Sequence, residues 1–147
     1  MNSDFKELLS LLNRFGAKYL VVGGYAVMLY TEPRYTRDLD LAVSAEPDDV
    51  APLRKALAEF GFPLSDEAAD ELTKPNRMIS IGRPPSRIDF LNQIRGIDFH
   101  QAWERRKTVD IDGVEVAFVS LEDLIRSKQA AGRPQDLIDL EHLRSKD

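Results

Sequence analysis

The hydrophobic positions along the chain repeat with helical and strand periods in turn, which predicts an alternation of helices and strands. Apolar residues recur at helical spacing over residues 3–15, and Gly16 follows as a stop signal. The apolar run at 19–22 has the length of a buried strand, and it leads into Gly23-Gly24 and a short apolar stretch at 25–30. The first thirty residues are therefore expected to form a helix, a strand and a second helix.

The same patterns continue to the end of the chain. Asp112-Gly113 suits the positive backbone angles of a hairpin turn, and Ser120 with Asp123 forms a helix-capping pattern. Three leucines are expected to pack the last helix against the core, namely Leu137, Leu140 and Leu143. The pattern predicts further strands at 38–41, 78–81, 87–91, 108–111 and 114–119, and further helices at 48–60, 65–72, 97–105, 120–131 and 135–144.

The predicted strand at 38–41 contains two carboxylates, Asp38 and Asp40. Side chains alternate across a strand, so both carboxylates point to one face while Leu39 and Leu41 point to the other. Aspartate has a low strand propensity, and two like charges on one face repel each other unless a cation lies between them. Mg²⁺ suits this position because it is usually held by one or two carboxylates together with phosphate oxygens.

Gly23 and Gly24 lie between the preceding strand and the short helix. Residues without side chains let the backbone approach a phosphate closely, and the free N–H groups of a helix start favour an anion. A glycine pair by itself is equally typical of an ordinary strand-to-helix turn. Followed by Asp38-x-Asp40, it predicts a site for a phosphate and a divalent metal, with Arg34 and Arg37 as candidate anion contacts.

The composition limits the class of protein. A chain of 147 residues that is 43% hydrophobic is expected to form one domain, residues 1–147. The absence of cysteine excludes disulfides and thiolate metal sites. No apolar run reaches membrane-spanning length, and the first residues lack the features of a secretory signal, so a cytoplasmic protein without a membrane partner is expected.

Charge is unevenly distributed along the chain. The net charge of −5 argues against a protein that coats nucleic acid non-specifically. From Lys74 to Lys107, however, eight Lys or Arg stand against three Asp or Glu, which gives this segment a charge of +5. Such a block could guide a polyanion to the site, although surface arginines are equally common in proteins that bind no nucleic acid.

Two charged residues interrupt apolar patterns elsewhere. Asp89 lies within the apolar strand at 87–91, where it is either a third site carboxylate or a carboxylate neutralised by Arg87. Lys128 continues the apolar stripe of the helix at 120–131 by one turn. Its ammonium group either extends to water over a buried stem or contacts the nucleotide.

Gly23-Gly24, Asp38-x-Asp40 and Asp89, in that order, resemble the motifs of the minimal nucleotidyltransferase superfamily, whose fold is that of the DNA polymerase beta palm. The tail LIRSKQAAGRPQDLIDLEHL resembles the Lys…Arg…Asp-x-x-Asp helical element of nucleotidyltransferases akin to abortive-infection toxins, through Lys128, Arg133, Asp136 and Asp139. The resemblance implies an α/β (α+β) nucleotidyltransferase fold with a mixed central sheet flanked by helices and a C-terminal helix pair.

The resemblance also implies a role for each site residue. Asp38 and Asp40 would bind Mg²⁺ carrying a nucleoside triphosphate (NTP), such as ATP, and Asp89 would complete a second Mg²⁺ site and help activate the acceptor hydroxyl. Gly23 and Gly24 would hold the β and γ phosphates. Lys128 would approach the triphosphate or the acceptor, and Arg133 with Asp136 would order the corner formed by the C-terminal helices. Arg37, a candidate from its position ahead of Asp38 and not from the resemblance, joins Lys128 and Arg133 in the nucleotide-binding set.

The acceptor is less sharply implied. The tail resemblance favours tRNA or protein as the acceptor, in a toxin of a toxin–antitoxin pair, with an antitoxin or a homodimer as partner. A small molecule is the alternative within the enzyme class, through adenylylation of an aminoglycoside or lincosamide antibiotic. An alternative outside the enzyme class is a non-catalytic nucleotide-binding module, although the presence of all three carboxylates counts against it.

Overall fold

The computed structural model describes residues 1–33 and 38–145. Its strands are β1 (Tyr19–Val22), β2 (Leu39–Val43), β3 (Met78–Ile81), β4 (Ile88–Leu91), β5 (Lys107–Ile111) and β6 (Val114–Phe118). Its helices are α1 (Ser3–Arg14), α2 (Gly23–Tyr30), α3 (Pro47–Phe60), α4 (Asp66–Glu71), α5 (Phe99–Glu104), α6 (Leu121–Ala131) and α7 (Pro134–Ser145). Among the described residues, no helix combines the length and the apolar character needed to cross a bilayer.

The six strands form one mixed sheet in the order β3-β4-β2-β1-β6-β5. Strand β2 pairs antiparallel with β1 and parallel with β4, and β1 pairs parallel with β6. The two outer pairs, β3 with β4 and β5 with β6, are antiparallel. This arrangement confirms the predicted α/β class with a mixed central sheet, and it places the acidic strand β2 in the interior of the sheet.

Local sequence signals account for several element ends. The hairpin between β5 and β6 turns at Asp112 and Gly113, whose φ angles are +52° and +88°. The Ser120 hydroxyl accepts a hydrogen bond from the Asp123 N–H at 3.1 Å and caps α6, and Gly132 ends that helix at φ +62°. The hairpin and the capping pattern predicted from sequence are therefore confirmed.

The helices of the C-terminal segment lie against α2. Helices α1 and α3 contact each other, whereas α6 and α7 contact both each other and α2. A continuous hydrophobic core unites strand residues with the buried side of α1, formed by Phe5, Leu8, Leu9 and Leu12. The predicted C-terminal helix pair is therefore present, and it packs against α2.

Two details differ from the sequence prediction. Helix α3 begins at Pro47, one residue before the predicted start at 48, because the fixed φ of proline suits the first helical position, and Pro52 lies inside the helix. Leu137 was expected to pack against the core, but it is 56% exposed. The buried residues of α7 are Asp136, Asp139, Leu140 and Leu143. The two aspartates occupy positions where apolar residues would be expected, and they can do so because both form ion pairs with Lys128.

Candidate active site

Asp40 and Asp89 stand side by side on neighbouring strands. The parallel register of β2 and β4 pairs Asp40 directly with Asp89. Asp38 immediately precedes β2, whose start is tied to β4 by a hydrogen bond from the Leu39 N–H to the Arg87 carbonyl at 3.1 Å. The structure thus brings together the three carboxylates that the sequence singled out.

The electrostatics of Asp40 reflect this proximity. Burial raises the pKa of Asp40 to about 6, and the negative charges of Asp89 and Asp38, together with a hydrogen bond to the Asp89 side chain, act in the same direction. Arg87 opposes the rise in this pKa. Since like charges close together favour the protonated form, the cluster fits a divalent cation, which would offset the repulsion among the carboxylates.

Asp89 is buried and held by two donors. The Ser80 hydroxyl donates a hydrogen bond to Asp89 Oδ1 at 2.6 Å, and Arg87 Nε donates to the same oxygen at 3.0 Å. Asp89 therefore pairs with Arg87 and also lies beside Asp40. Because both bonds end on Oδ1, they fix the carboxylate while Oδ2 takes part in neither bond.

The raised pKa of Asp40 predicts a pH dependence of metal binding. A divalent cation competes with the proton that Asp40 retains, so affinity should rise as pH increases toward about 6 and level off above that value. Isothermal titration with Mg²⁺ or Mn²⁺ between pH 5 and pH 8 would measure this profile. A flat profile over this range would contradict the shared acidic environment of Asp40 and Asp89.

Gly23 allows helix α2 to begin against the acidic pair. Its φ is +66°, and a Cβ at this position would lie 2.2 Å from Asp40 Oδ2. Val22, the residue before α2, provides no side-chain cap for the helix. The first turn, which includes Gly24, therefore presents backbone N–H groups without a side-chain acceptor beside the carboxylates, an arrangement that suits a phosphate oxygen.

Replacing Gly23 by alanine should perturb both folding and metal binding. Gly16 offers a matched control, because its φ of +70° imposes the same backbone strain while a Cβ there would meet nothing within 4 Å. We expect Gly16→Ala to cost about 1 kcal/mol of unfolding free energy. Gly23→Ala should cost more and should also weaken divalent-metal affinity, since Asp40 must move. Equal unfolding free energies and metal affinities for the two variants would contradict this close packing.

Lys128 lies in a buried ionic cluster between α6 and α7. Its Nζ is 3.2 Å from Asp136 Oδ1 and 3.1 Å from Asp139 Oδ2, and both aspartates are fully buried. Arg133 Nε donates to Asp136 Oδ2 at 2.7 Å, and this bond lowers the pKa of Asp136 to about 2. The lysine is therefore neither an extended surface cation nor unpaired, and the cluster joins the two helices.

One cleft of about 780 Å³ connects these features. Among the residues that line it are Gly23, Asp40, Lys128, Arg133 and Asp136. Asp38 and Asp89 neighbour Asp40, which lines the cleft, and Gly24 follows Gly23 in the first turn of α2. Arg34 and Arg37, the candidate anion contacts, lie outside the described residues.

A second group of possible metal ligands lies away from this cleft. Glu46, Asp49 and His100 place one ligand atom each within 4.8 Å of one another. His100 Nε2 is 3.3 Å from Glu46 Oε1, which is the geometry of an ion pair when the imidazole is protonated. The position of Asp49 in the first turn of α3 also complements the helix dipole, so a structural role accounts for this group.

Sequence reasoning missed two polar residues of the site region. Ser80 faces Asp89 across the β3–β4 pair, and only the strand register makes this contact visible. Arg95 lines the cleft from the turn after β4. Its place within the basic block was visible in the sequence, but nothing separated it from the other arginines there.

The comparisons with known proteins agree with the geometry. Residues 2–144 match the family described as nucleotidyltransferase of unknown function, DUF6036. The chain belongs to this nucleotidyltransferase family. The predicted superfamily, fold class and enzyme class are therefore confirmed. No curated protein matches the sequence.

Solved structures similar to this nucleotidyltransferase share its fold at low sequence identity. The lincomycin-bound lincosamide antibiotic adenylyltransferase LnuA is 14% identical with a TM-score of 0.61, over 100% of this chain and 98% of that chain. A nucleotidyltransferase candidate from Thermotoga maritima is 13% identical with a TM-score of 0.61, over 97% and 91% of the two chains. An antigenic nucleotidyltransferase-like protein from Paracoccidioides brasiliensis is 19% identical with a TM-score of 0.54, over 99% and 77%.

Proposed function

We propose that this nucleotidyltransferase transfers a nucleoside monophosphate from an Mg²⁺-bound NTP to a hydroxyl group. The observation that carries the proposal is the convergence of Asp38, Asp40 and Asp89 beside the glycine that begins α2. Carboxylates suit divalent cations, and a helix start without a side-chain cap suits phosphate. The two requirements of an NTP site thus meet at one end of the cleft.

The proposed reaction assigns a task to each of these groups. The acceptor oxygen attacks the α-phosphorus, the bond between the α-phosphorus and the bridging oxygen to the β-phosphate breaks, and pyrophosphate leaves. Asp38, Asp40 and Asp89 would hold two divalent cations, which stabilise charge on the attacking and leaving oxygens when bound. Asp89 would take the hydroxyl proton, while Ser80 and Arg87 hold its other oxygen in place. Gly23 and Gly24 would direct N–H groups to the β and γ phosphates.

The acceptor proposal has two branches that one labelling experiment separates. The tail with Lys128, Arg133, Asp136 and Asp139 favours tRNA or protein, in a toxin–antitoxin setting with an antitoxin or a homodimer as partner. The fold match with the lincosamide adenylyltransferase covers almost the whole of both chains, which favours a small hydroxylated acceptor as the second candidate. RNA, protein and small-molecule fractions therefore have to be examined together.

The test uses NTPs labelled with ³²P at either the α or the γ position. The protein is incubated with each NTP, Mg²⁺ and cell extract, and Asp40→Asn serves as the inactive control. Nucleotidyl transfer predicts label from the α position, but not from the γ position, in one fraction. Equal labelling by wild type and Asp40→Asn in every fraction would overturn the proposal, and transfer of the γ label would assign a phosphotransferase instead.

A further inference from the structure

The cations that line the cleft differ in whether their charge is already matched. Arg77 Nε donates to Glu71 Oε2 at 2.9 Å, so its charge is directed to a surface carboxylate. Lys128 and Arg133 are balanced by the buried carboxylates Asp136 and Asp139. These three cations therefore carry little positive charge that is free to meet an anionic substrate.

Arg95 is different from those three cations. Within residues 1–33 and 38–145, no hydrogen bond or ion pair to its side chain is found, and the residue is exposed. Arg95 nevertheless lines the same cleft as Gly23 and Asp40. It is thus the one cation among the described lining residues whose guanidinium has no carboxylate partner.

The backbone around Arg95 is held in place. The Ile97 N–H donates to the Ile94 carbonyl at 3.1 Å and closes a turn with Arg95 at its tip. Ile94 is buried. Gly96 has a φ of +72° and packs so closely on α6 that a Cβ would lie 3.0 Å from the Ala130 Cβ. The backbone of the turn is therefore fixed from both sides, so phosphate binding would have to order only the side chain of Arg95.

We propose that Arg95 binds a phosphate oxygen of the NTP triphosphate, which rests on the proposed function above. A triphosphate, two divalent cations and the three aspartates that would hold them carry a net negative charge together, and among the described lining residues Arg95 is the cation without a carboxylate partner. A guanidinium can make two parallel hydrogen bonds to a phosphate, which an ammonium cannot reproduce. Because this contact involves neither base nor acceptor, it applies to any NTP and any acceptor.

The test is designed around inorganic tripolyphosphate, which contains neither base nor ribose. Isothermal titration in the presence of Mg²⁺ compares wild type with Arg95→Ala, Arg95→Lys and the matched control Arg83→Ala. Arg83 is also exposed, also lacks an ion pair within the described residues, and lies outside this cleft. Equal thermal melting temperatures show that the variants fold alike.

We expect Arg95→Ala to weaken Mg²⁺-tripolyphosphate binding by roughly 10- to 100-fold, the loss typical of a charge-assisted hydrogen bond. Arg95→Lys should recover part of the affinity, and Arg83→Ala should bind like wild type. Equal loss in Arg95→Ala and Arg83→Ala would overturn the inference, because it would reflect only net charge. Unchanged tripolyphosphate affinity in Arg95→Ala would also overturn it, and reduced product labelling in that variant would then assign Arg95 to the acceptor.

The outcome for the wild type separates the two proposals. Suppose that the wild type binds Mg²⁺-ATP, Mg²⁺-GTP, Mg²⁺-CTP or Mg²⁺-UTP and that Arg95→Ala binds Mg²⁺-tripolyphosphate as tightly as the wild type does. The proposed function then stands, and only the role of Arg95 is removed. Failure of the wild type to bind any of the four NTPs and tripolyphosphate overturns the proposed function itself, and the role of Arg95 with it.

Discussion

Replacing Asp40 by asparagine should reduce nucleotidyl transfer by roughly 10³-fold or more while leaving the protein folded. The substitution preserves the shape of the side chain but removes the charge that would hold a divalent cation beside Asp89. Metal ions contribute several kcal/mol to the transition state of such reactions, and each 1.36 kcal/mol corresponds to a factor of ten in rate. The measurement is the initial rate of α-label transfer once the labelled fraction is known.

Although its transfer activity should fall, Asp40→Asn should not lose unfolding free energy in the absence of metal. A carboxyl group whose pKa is raised in the folded state binds its proton more tightly there than in the unfolded chain, so the metal-free protein loses stability as pH rises from about 4 to about 6. Asparagine removes this loss, so the variant should be at least as stable as the metal-free wild type at pH 7. The control is Glu115→Gln, which makes the same carboxylate-to-amide change at an exposed position on β6. Wild-type activity in Asp40→Asn would refute the proposed metal site.

Replacing Lys128 by methionine should cost about 3–5 kcal/mol of unfolding free energy, because it leaves buried carboxylates without their shared cation. Asp136 keeps its bonds from Arg133, so the loss of the Lys128 ammonium should act mainly on Asp139, which is fully buried and lies 3.1 Å from that group. Denaturation by urea would measure the loss. In the double variant Lys128→Met with Asp139→Asn, much of the stability should return, since the buried charge is removed and the amide oxygen can still accept from Gln135.

The control for Lys128 is Lys74→Met. Lys74 also lies near two carboxylates, Asp70 and Glu71, at 3.8 and 2.9 Å, but all three side chains are largely exposed to solvent. Exposed ion pairs contribute about 0–1 kcal/mol. The Lys128 interpretation would be wrong if both lysine substitutions lowered stability by the same small amount.

The acidic strand was predictable because its chemistry is local. Alternation along a strand places Asp38 and Asp40 on one face whatever the rest of the fold does. The pairing of Asp40 with Asp89 is not local, since it depends on the register of two parallel strands separated by helices α3 and α4 and strand β3. For the same reason the contact of Ser80 with Asp89 could not be read from sequence, although a serine between two isoleucines already indicated a polar face on β3.

The last helix shows the limit of hydrophobic periodicity. Leu137, Leu140 and Leu143 form an apolar series at helical spacing, whereas the residues that are buried form a second series at such spacing, namely Asp136, Asp139, Leu140 and Leu143. The position of Lys128 on α6 helps to make the second series favourable because that lysine pairs with both aspartates, and Arg133 adds a second cation beside Asp136. Periodicity ranks residues by their own polarity and therefore cannot anticipate a buried carboxylate whose partner lies on another helix.

The division of the cleft between distant parts of the chain sets an order of events during protein synthesis. Asp40 precedes Asp136 by 96 positions, and β1 pairs with β6 through Val21 and Phe118. At ribosomal rates of about 5–20 residues per second, the interval between them is roughly 5–20 s. Throughout that interval the nascent chain carries Asp38 and Asp40 without the helices that complete the cleft. A growing chain should therefore gain transfer activity only after most of it has been translated, which pulse-labelled, ribosome-bound intermediates would reveal.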